Sequence, residues 1–310
     1  MSGQSQRDAF WDRVYELAKE NKDIVVVIAD MGAPALDKFR TDLSAQYIDV
    51  GIAEQQAIAL SAGLALSGKK VFAYAIAPFI TLRCYEHTRV NLASMNIPVT
   101  LVGVGAGVSY DDSGPTHHAV DDLSVLRILP NLRIYNMTDS VMAKAFADIS
   151  CGLSWPNYIR MDRKTLPSIY KDGTDFSLGI TVLFPAKELF LVATGNMVHR
   201  ALDVRNELEK KGIDAGVIDV YTFPINGDAF VETVRDVKQV VTLEEHSLAG
   251  GLGSAVCEVL ADYRILKPVK RLGMDLSRGY CYKYGGRENI QSLYGLDTEG
   301  VVETVLSLEF

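Results

Sequence analysis

Residues 49–54 read Asp-Val-Gly-Ile-Ala-Glu and stand directly before an alanine-rich stretch. Residues 46–52 predict a short apolar strand, and residues 54–66, nearly all apolar or small, predict the helix that follows it. Because this helix is apolar around most of its circumference, we expect it to be buried. The stretch therefore predicts a strand-to-helix turn with Glu54 on the first turn of the helix.

Glu54 is an unusual residue for the start of a buried helix. The free backbone N–H groups and the positive end of the helix dipole favour a carboxylate there. A partly desolvated carboxyl group in that position can hold, donate or accept a proton for a bound heterocycle. Position alone favours an ordinary helix-start glutamate, so the functional interpretation depends on what lies around Glu54.

Outward from that turn, strands alternate with helices through the first half of the chain. Continuous apolar runs predict buried strands at residues 24–29, 47–50, 71–76, 99–104 and 134–136. Helical periodicity predicts helices at residues 7–20, 82–93 and 140–149, the second with Arg83, Glu86 and Arg89 on its polar side. This alternation predicts a mostly parallel α/β sheet.

The second half repeats the alternation after an irregular segment. Residues 168–187 contain Lys-Asp-Gly-Thr-Asp at 171–175 and Pro185, a composition that is typical of a linker. Beyond it we predict strands at residues 189–193, 215–220 and 239–243, and helices at residues 197–211, 227–236 and 253–263. We therefore expect a second α/β domain.

Composition agrees with two packed domains. The chain has 310 residues, of which 48% are apolar and 23% are charged, which is typical of a globular core. A net charge of -8 and the lack of a basic run of five residues argue against nucleic acid as a main partner. An uncharged run at residues 91–110 contains Pro98 and three glycines, so it predicts a buried strand and a loop rather than a membrane span.

The cysteines and the N-terminus indicate a cytoplasmic location. Four cysteines lie far apart and form no Cys-X-X-Cys pair, which is typical of a reduced chain without a structural metal. They are Cys84, Cys151, Cys257 and Cys281. The first eight residues are polar and charged, so they do not resemble a secretory signal.

Three loops that follow predicted strands are expected to meet. Ligands on parallel sheets lie beyond the carboxyl ends of the strands. Asp30, Phe79 and the loop 105–118 each come after a predicted strand. We expect them to converge at one edge of the first sheet.

The loop at residues 111–118 reads Asp-Asp-Ser-Gly-Pro-Thr-His-His and contains two of the five histidines. Its glycine and proline give a backbone that can approach a ligand. Histidine exchanges protons near neutral pH, although a solvated or structural histidine pair fits the same sequence. No further ligands lie at the spacing of a metal site, so we predict no metal there.

Four segments, taken in order, resemble one known family. Asp-Val-Gly-Ile-Ala-Glu at 49–54, an aromatic segment near Phe79, Gly-Pro-Thr-His-His at 114–118 and Leu-Arg-Ile-Leu-Pro-Asn at 126–131 are similar to the C-terminal half of transketolases and 1-deoxyxylulose-5-phosphate synthases. The resemblance runs from about Arg7 to the C-terminus. It implies a pyrimidine-binding domain at 1–170, a linker at 171–187 and a transketolase C-terminal domain at 188–310.

The resemblance also implies an activity and a cofactor. Transketolases use thiamine diphosphate and Mg²⁺ to transfer a two-carbon ketol unit from a ketose to an aldose. Glu54 matches the catalytic glutamate that hydrogen-bonds the pyrimidine N1′ atom and favours the imino form, which activates the thiazolium carbon. Asp30 matches an aspartate near the cofactor pocket. Phe79 lies near the aromatic residue that stacks on the pyrimidine, and Ile76 competes for that position.

Candidate substrate-binding residues follow from the same match. His117 corresponds to a substrate-side histidine, a candidate for proton transfer to substrate oxygens. Arg160 corresponds to a substrate phosphate-binding arginine, and Arg7 lies near a second one. Ser113 stands where the family commonly has an aspartate that contacts the sugar.

Two further departures from the family pattern concern the substrate. Gly105 stands where many transketolases have a substrate histidine, and Pro34 stands about where a phosphate-binding serine is usual. Together with Ser113, these changes predict an unusual or non-phosphorylated sugar substrate. They leave the role implied for Glu54 unchanged.

The chain lacks one motif that thiamine diphosphate enzymes require. A Gly-Asp-Gly motif with a distant Asn holds Mg²⁺ and the diphosphate, and Gly-Asp-Gly does not occur in the 310 residues. The resemblance is therefore to one subunit of a split transketolase, whose partner chain carries the diphosphate-binding domain. We expect the cofactor and Mg²⁺ to be held mainly by that partner, in an α2β2 heterotetramer.

Three alternatives remain open. The β subunit of a 2-oxo acid dehydrogenase E1 component has the same two-domain layout, and a deoxyxylulose-phosphate-synthase-like enzyme shares the motifs. A non-catalytic scaffold would have no need of Glu54. Glu-Glu-His at 244–246 predicts structural contacts or a subunit contact, and Gly-Gly-Leu-Gly at 250–253 predicts a tight turn before a helix rather than a nucleotide loop.

Overall fold

A computed structural model describes residues 3–308 of the chain, which contain two α/β sheets. The elements of the first half are α1 (Gln6–Glu20), β1 (Ile24–Ile28), α2 (Pro34–Asp42), β2 (Tyr47–Asp49), α3 (Glu54–Leu66), β3 (Lys70–Ile76), α4 (Ala77–Thr81), α5 (Tyr85–His87), β4 (Val99–Val104), α6 (Asp122–Leu126), β5 (Arg133–Asn136), α7 (Ser140–Gly152) and β6 (Asn157–Met161).

The elements of the second half are β7 (Ile180–Phe184), β8 (Leu189–Ala193), α8 (Met197–Lys210), β9 (Ala215–Val220), β10 (Thr222–Phe223), α9 (Gly227–Val234), β11 (Gln239–Ser247), α10 (Leu252–Asp262), β12 (Val269–Met274), α11 (Arg287–Leu293) and α12 (Thr298–Leu306). Within residues 3–308, none of these helices has the length and apolar character needed to cross a membrane.

The first sheet has seven strands in the order β10-β5-β6-β4-β3-β1-β2. Neighbouring strands are parallel except β10 with β5. β1 and β4 are buried along their whole length, as expected for a parallel sheet covered on both faces. Because β4, β3 and β1 are adjacent and parallel, their carboxyl ends lie side by side at one edge.

The second sheet has five strands in the order β12-β11-β8-β9-β7. Its strands are parallel except for β7, which runs antiparallel to β9 at the edge. The predicted strands at 189–193 and 215–220 agree with β8 and β9 residue for residue. The prediction of two consecutive, mostly parallel α/β domains is confirmed.

The linker predicted at 171–187 was too long. Residues Ile180–Phe184 form β7, the edge strand of the second sheet, and only its first residue is fully buried. The strand is flanked by the polar segment 171–175 and by Pro185, and these loop signals led to its inclusion in the linker. The two halves are also joined by β10, because Thr222–Phe223 pairs with β5 of the first sheet.

The helix predicted at 82–93 begins earlier and is interrupted. α4 starts at Ala77, directly after β3, with Pro78 in its first turn, where the missing N–H of proline needs no partner. α5 and a π-helical turn at Thr88–Ser94 follow. Phe79, which we expected in a loop, therefore lies on a short helix at the edge of the sheet.

Apolar clusters cover both faces of the first sheet. On one face Phe10 and Trp11 of α1 pack edge-to-face against Phe72 of β3. The cluster on the other face continues into the second domain, where Phe190 and Ile218 belong to it. This shared core fixes the second domain against the sheet that carries Glu54.

α3 is buried on one side only. Glu54, Ala57 and Ile58 are buried, whereas Ile52 just before the helix is 76% exposed and Leu66 at its end is 64% exposed. The prediction of a fully buried helix was therefore wrong for this chain alone. The helix is apolar on more sides than the chain itself covers, which leaves an apolar surface next to Glu54.

Candidate functional site

Glu54 stands at the turn between β2 and α3. β2 ends at Asp49, whose Oδ1 accepts a hydrogen bond from the Gly51 backbone N–H at 2.9 Å. Gly51 has φ +69°, a left-handed conformation that glycine adopts without strain. The turn makes Glu54 the first residue of α3, where it is 3% exposed. A buried carboxylate at this helix start is what the sequence predicted.

A single arginine provides the counter-charge of Glu54. Both carboxylate oxygens accept hydrogen bonds from Arg83 Nη1 at 2.8 Å. Arg83 lies between α4 and α5, and its side chain is 41% exposed. Among residues 3–308, no second basic side chain lies within 4 Å of this carboxylate. The sequence had placed Arg83 only on the polar side of a helix, so this contact was missed.

Phe79 and His117 extend the contacts that begin at Glu54. The Arg83 guanidinium carbon lies 4.1 Å from the centre of the Phe79 ring, a cation–π distance. The Phe79 ring lies edge-on to His117, with 5.1 Å between the ring centres. Glu54, Phe79 and His117 therefore lie at one edge of the sheet, and for Phe79 and loop 105–118 this was expected because both follow predicted strands.

The turn at residues 114–117 positions His117. The His117 backbone N–H donates to the Gly114 carbonyl at 3.0 Å, and Gly114 has φ +75°. The His117 ring is half-buried, with Nδ1 3.0 Å from Thr116 Oγ1 and Tyr110 on its other side. The neighbouring His118 is buried, and burial lowers its pKa, so its ring stays neutral near pH 7. Of the two histidines, His117 is the one available for proton exchange.

Arg160 does not lie at a substrate surface in this chain. It belongs to β6, is 2% exposed, and its guanidinium donates to Asp122 at 2.8 Å and to the Ala119 carbonyl at 2.7 Å. Every residue of β6 is buried, which explains why the Arg160 side chain does not reach the surface. The placement contradicts the expectation that Arg160 contacts a substrate phosphate.

Arg163, three residues further on, is the arginine that reaches the surface of loop 105–118. Its guanidinium carbon lies 4.5 Å from the centre of the Tyr110 ring, and Nη1 lies 3.2 Å from Asp112. Arg7 adds a second positive charge near Tyr110, since the two side chains interact electrostatically. The sequence analysis predicted no strand at residues 157–161, so it could not show that Arg160 lies within β6 whereas Arg163 follows its end.

The remaining predicted residues lie around this group. Asp30 is exposed directly after β1 with φ +49°, and its backbone N–H donates to Asp49 Oδ1 at 3.3 Å. Ile76 is half-buried and directly precedes α4, and the residue whose ring contacts His117 is Phe79. Ser113 is half-buried and its Oγ donates to Asp112 at 3.0 Å.

The second domain lies against loop 105–118. The Arg287 backbone N–H donates to Asp111 Oδ2 at 2.7 Å, and Lys164 pairs with the same oxygen. The Val108 N–H donates to Glu245 Oε2 at 2.9 Å. The loop that carries His117 is therefore held from both domains.

The Glu-Glu-His segment has the structural role that the sequence indicated. Glu244 accepts from the N–H groups of Leu252 and Gly253, at 2.7 and 2.8 Å, where α10 begins. His246 lies 3.6 Å from Asp122, and burial lowers its pKa to about 4. The Gly-Gly-Leu-Gly run is the turn into α10, also as expected.

The residues at this edge fit one part of thiamine diphosphate. A buried carboxylate at a helix start and an aromatic ring beside it suit a planar heterocycle that needs one hydrogen bond and one stacking face. Within residues 3–308, no cluster of three or more His, Cys, Asp or Glu side chains is arranged to hold a metal ion. The described part of the chain therefore offers groups for the pyrimidine ring but no such cluster for a diphosphate-bound metal.

Comparison with known proteins assigns both halves to one family. Residues 2–168 match the pyrimidine-binding domain of transketolase, and residues 180–301 match the transketolase C-terminal domain. A subunit of the apulose-4-phosphate transketolase of Phocaeicola vulgatus is 36% identical over 304 residues, covering 97% of this chain and 96% of that protein. The 6-deoxy-6-sulfo-D-fructose transketolase subunit SqwH of a Clostridium species is 31% identical, with 96% and 92% covered.

A solved structure gives the same result over the full length. It is described as a split gene transketolase in the form of an inactive β4 tetramer, is 32% identical, superimposes with a TM-score of 0.88, and 98% of each chain is covered. This agreement confirms the family and the fold class that the sequence motifs implied. The chain belongs to the transketolase family and spans the pyrimidine-binding and C-terminal domains of that family.

Proposed function

We propose that this chain is the cofactor-activating subunit of a split transketolase, which transfers a two-carbon ketol unit from a ketose to an aldose. The observation that carries the proposal is the convergence of buried Glu54 with Phe79 and His117 at one sheet edge. Each of these side chains is of the type that the reaction requires at that place. The 36% and 31% identical relatives are named as transketolase subunits.

Each residue has a distinct task in this proposal. Thiamine diphosphate, when bound, supplies the carbon nucleophile that carries the two-carbon unit. Glu54 holds or shares a proton at the pyrimidine N1′ atom, which a buried carboxyl does more effectively than a solvated one. Phe79 provides a stacking face, and Asp30 lies on the exposed rim of the same edge. His117 exchanges a proton with oxygens of the sugar.

A second chain completes the site. Ile52, two residues before Glu54, and Leu66, at the far end of α3, expose apolar surface, and such a surface is stabilised by a protein partner. We assign the diphosphate and Mg²⁺ to that partner, because residues 3–308 contain no suitable acidic cluster. A heterotetramer with two copies of each chain would place Glu54 at the junction between unlike subunits.

The surface near His117 favours a sugar with an anionic end. Arg163 and Arg7 both lie beside Tyr110, and Arg163 is half-exposed. The names of two relatives specify apulose-4-phosphate and 6-deoxy-6-sulfo-D-fructose, which carry a phosphate and a sulfonate. With Ser113 in place of the usual aspartate, we propose an uncommon ketose phosphate or sulfonate as donor.

Reconstitution tests this function. The chain is co-expressed with a candidate partner that contains Gly-Asp-Gly and a downstream Asn, and ketol transfer is measured with a panel of ketose donors. We expect turnover that depends on both chains, thiamine diphosphate and Mg²⁺, with an uncommon ketose phosphate or a ketose sulfonate preferred as donor. Equal or better turnover of xylulose 5-phosphate with ribose 5-phosphate would refute the unusual substrate, and absence of ketol transfer with every donor would refute the function.

A 1-deoxyxylulose-5-phosphate synthase activity is the second candidate. The synthase of Caldanaerobacter subterraneus subsp. tengcongensis is 31% identical, although this chain spans 48% of its length. The same reconstituted pair distinguishes the two, because the synthase reaction consumes pyruvate and releases CO₂. Release of CO₂ from pyruvate with glyceraldehyde 3-phosphate as acceptor would favour the synthase. Transfer of the acyl group that remains after decarboxylation to a lipoyl carrier would favour a 2-oxo acid dehydrogenase.

A further inference from the structure

Arg83 makes the two contacts that the pyrimidine ring requires under the proposed function. Its Nη1 donates to both Glu54 oxygens at 2.8 Å, and its guanidinium carbon lies 4.1 Å from the Phe79 ring centre. Resting on the proposed function, we infer that Arg83 is a placeholder, which occupies the position of the pyrimidine in the free chain and leaves Glu54 when the cofactor binds. Arg83 is thus a positioning residue that competes with cofactor loading.

The chemistry of the guanidinium supports this substitution. It is planar, donates N–H hydrogen bonds in its own plane and stacks on aromatic faces. An aminopyrimidine ring is also planar, and it presents a nitrogen to the carboxyl group and a face to an aromatic residue. Both groups satisfy Glu54 and Phe79 together, so the two cannot make these contacts at the same time.

The free chain needs such a placeholder. Glu54 is 3% exposed, and burial of an uncompensated carboxylate is strongly unfavourable. Among residues 3–308, Arg83 is the basic residue paired with it. Burial, with a further contribution from Glu54, raises the pKa of the adjacent Cys84 to about 12, so that thiol stays protonated and adds no second charge.

The local backbone allows the Arg83 side chain to leave without unfolding. The Arg83 carbonyl accepts from Gln55 Nε2 at 3.3 Å, and the Cys84 thiol donates to the Phe79 carbonyl at 3.1 Å. These contacts hold the main chain, whereas among residues 3–308 the guanidinium is hydrogen-bonded to Glu54 alone, and the side chain is half-exposed. Rotation of the side chain toward solvent is therefore sufficient to free both Glu54 and the Phe79 face.

The free chain provides the first test. Thermal denaturation is measured for Arg83→Gln, Glu54→Gln and the double variant, with Arg89→Gln as the matched control, since Arg89 pairs with exposed Glu86 nearby. We expect Arg83→Gln to lower Tm by about 3 °C, the double variant to recover most of that loss, and Arg89→Gln to change Tm by about 1 °C or less. Equal Tm values in Arg83→Gln and wild type would contradict the inference.

The reconstituted pair provides a readout that a purely structural contact would not change. Removal of a competing group increases the binding-competent fraction, so Arg83→Gln should lower the half-saturating thiamine diphosphate concentration about fivefold while kcat stays within about twofold. An unchanged or higher concentration, or a large loss of kcat, would overturn the placeholder. If the wild-type pair shows no turnover, the proposed function fails, and the denaturation cycle still reports on the Glu54–Arg83 contact.

Discussion

Two buried glutamates show how the sheet edge differs from the contact between the domains. Glu54 at the edge and Glu245 between the domains are both almost completely buried. Glu54 has a single, half-exposed partner in Arg83. Glu245 accepts from Arg287 at 2.8 and 2.6 Å, from Gln291 at 2.6 Å and from a backbone N–H.

The electrostatics of the inter-domain region follow from those partners. Burial is the largest influence on the pKa of Glu245 and raises it, but the charge and hydrogen bonds of Arg287, together with hydrogen bonds from Val108 and Gln291, hold that pKa below its usual value. Arg287 also lies 2.7 Å from Asp162, so one guanidinium serves two buried carboxylates. Glu245 is therefore fixed as a charge, whereas the partner of Glu54 can be exchanged.

The comparison distinguishes a carboxylate with a structural role from one whose partner a ligand can replace. Several short, buried contacts cannot all be replaced by an incoming molecule. One contact from a half-exposed side chain can be replaced at modest cost. The number and the exposure of the partners, rather than burial of the carboxylates, distinguish the two glutamates.

The largest effect is expected on the catalytic rate when Glu54 at the sheet edge is replaced. Glu54→Gln preserves the shape of the side chain and removes its ability to share a proton, so we expect kcat of the reconstituted pair to fall about 10³-fold, or about 4 kcal/mol. Ketol transfer is measured beside size-exclusion chromatography of the complex. Unchanged turnover would mean that Glu54 is structural like Glu245, and loss of the complex would mean that it acts in assembly.

An effect of similar size, on stability rather than on catalysis, is expected for Arg287 between the domains. Arg287→Met leaves Glu245 and Asp162 buried without their cation, so we expect a loss of about 3 kcal/mol of unfolding free energy. Urea denaturation measures it, with Arg205→Gln as control, because Arg205 pairs with the exposed Glu209. A loss no larger than that of the control would show that the inter-domain charges are solvated in solution.

Asp219 provides a third case, a buried carboxylate with no basic partner among residues 3–308. Its Oδ2 accepts from Thr138 at 2.6 Å and from Tyr170 at 2.8 Å. Burial raises its pKa to about 7, with a minor contribution from the charge of Asp139. The folded chain therefore holds a proton between about pH 4 and pH 7 that the unfolded chain has released.

The sign of the pH effect follows from that raised pKa. The stability associated with protonated Asp219 is fully present below about pH 4 and is lost as the pH rises through 7. Asp219→Asn removes this titration, so we expect the variant to gain on the order of 2 kcal/mol relative to wild type between about pH 5 and pH 8. Thermal denaturation across that range measures it, and parallel pH profiles for the two chains would contradict the expectation.

The sequence predicted the strands correctly where apolar residues dominate several consecutive positions. Largely apolar runs located β1, β4, β8 and β9, and the apolar helix that follows residue 53 placed Glu54 at its start. The sequence was insufficient for β6 and β7. β6 contains Asn157 and Arg160 within a buried strand, and β7 lies between the polar segment 171–175 and Pro185, which together indicated a linker.

The partners of the site residues were beyond the sequence for a different reason. Arg83 and Glu54 are 29 positions apart, and nothing in either segment specifies that they meet. Arg160 and Arg163 are the same residue type three positions apart, yet one is enclosed by Asp122 and the other lies over Tyr110. Such assignments depend on which strand end reaches the surface, and only the folded chain determines that.

The smallest effect is expected at Asp111, which connects the two regions compared above. Its Oδ2 accepts from the Arg287 backbone N–H at 2.7 Å and pairs with Lys164, while its own loop continues to His117. Asp111→Asn keeps one oxygen acceptor and loses the charge, so we expect a loss of about 1 kcal/mol of stability. The loop should also become less ordered, which raises KM for the sugar by up to about threefold and leaves kcat unchanged.

Denaturation and steady-state kinetics of Asp111→Asn together determine whether the regions are coupled. A loss of stability with unchanged KM would show that the inter-domain network acts on the fold alone. A loss of kcat would place Asp111 in the chemistry, which its contacts with backbone and lysine do not suggest. Changes in both stability and KM would show that the fixed charges around Glu245 also set the position of His117. The structural carboxylate of Glu245 would then support the site that contains Glu54.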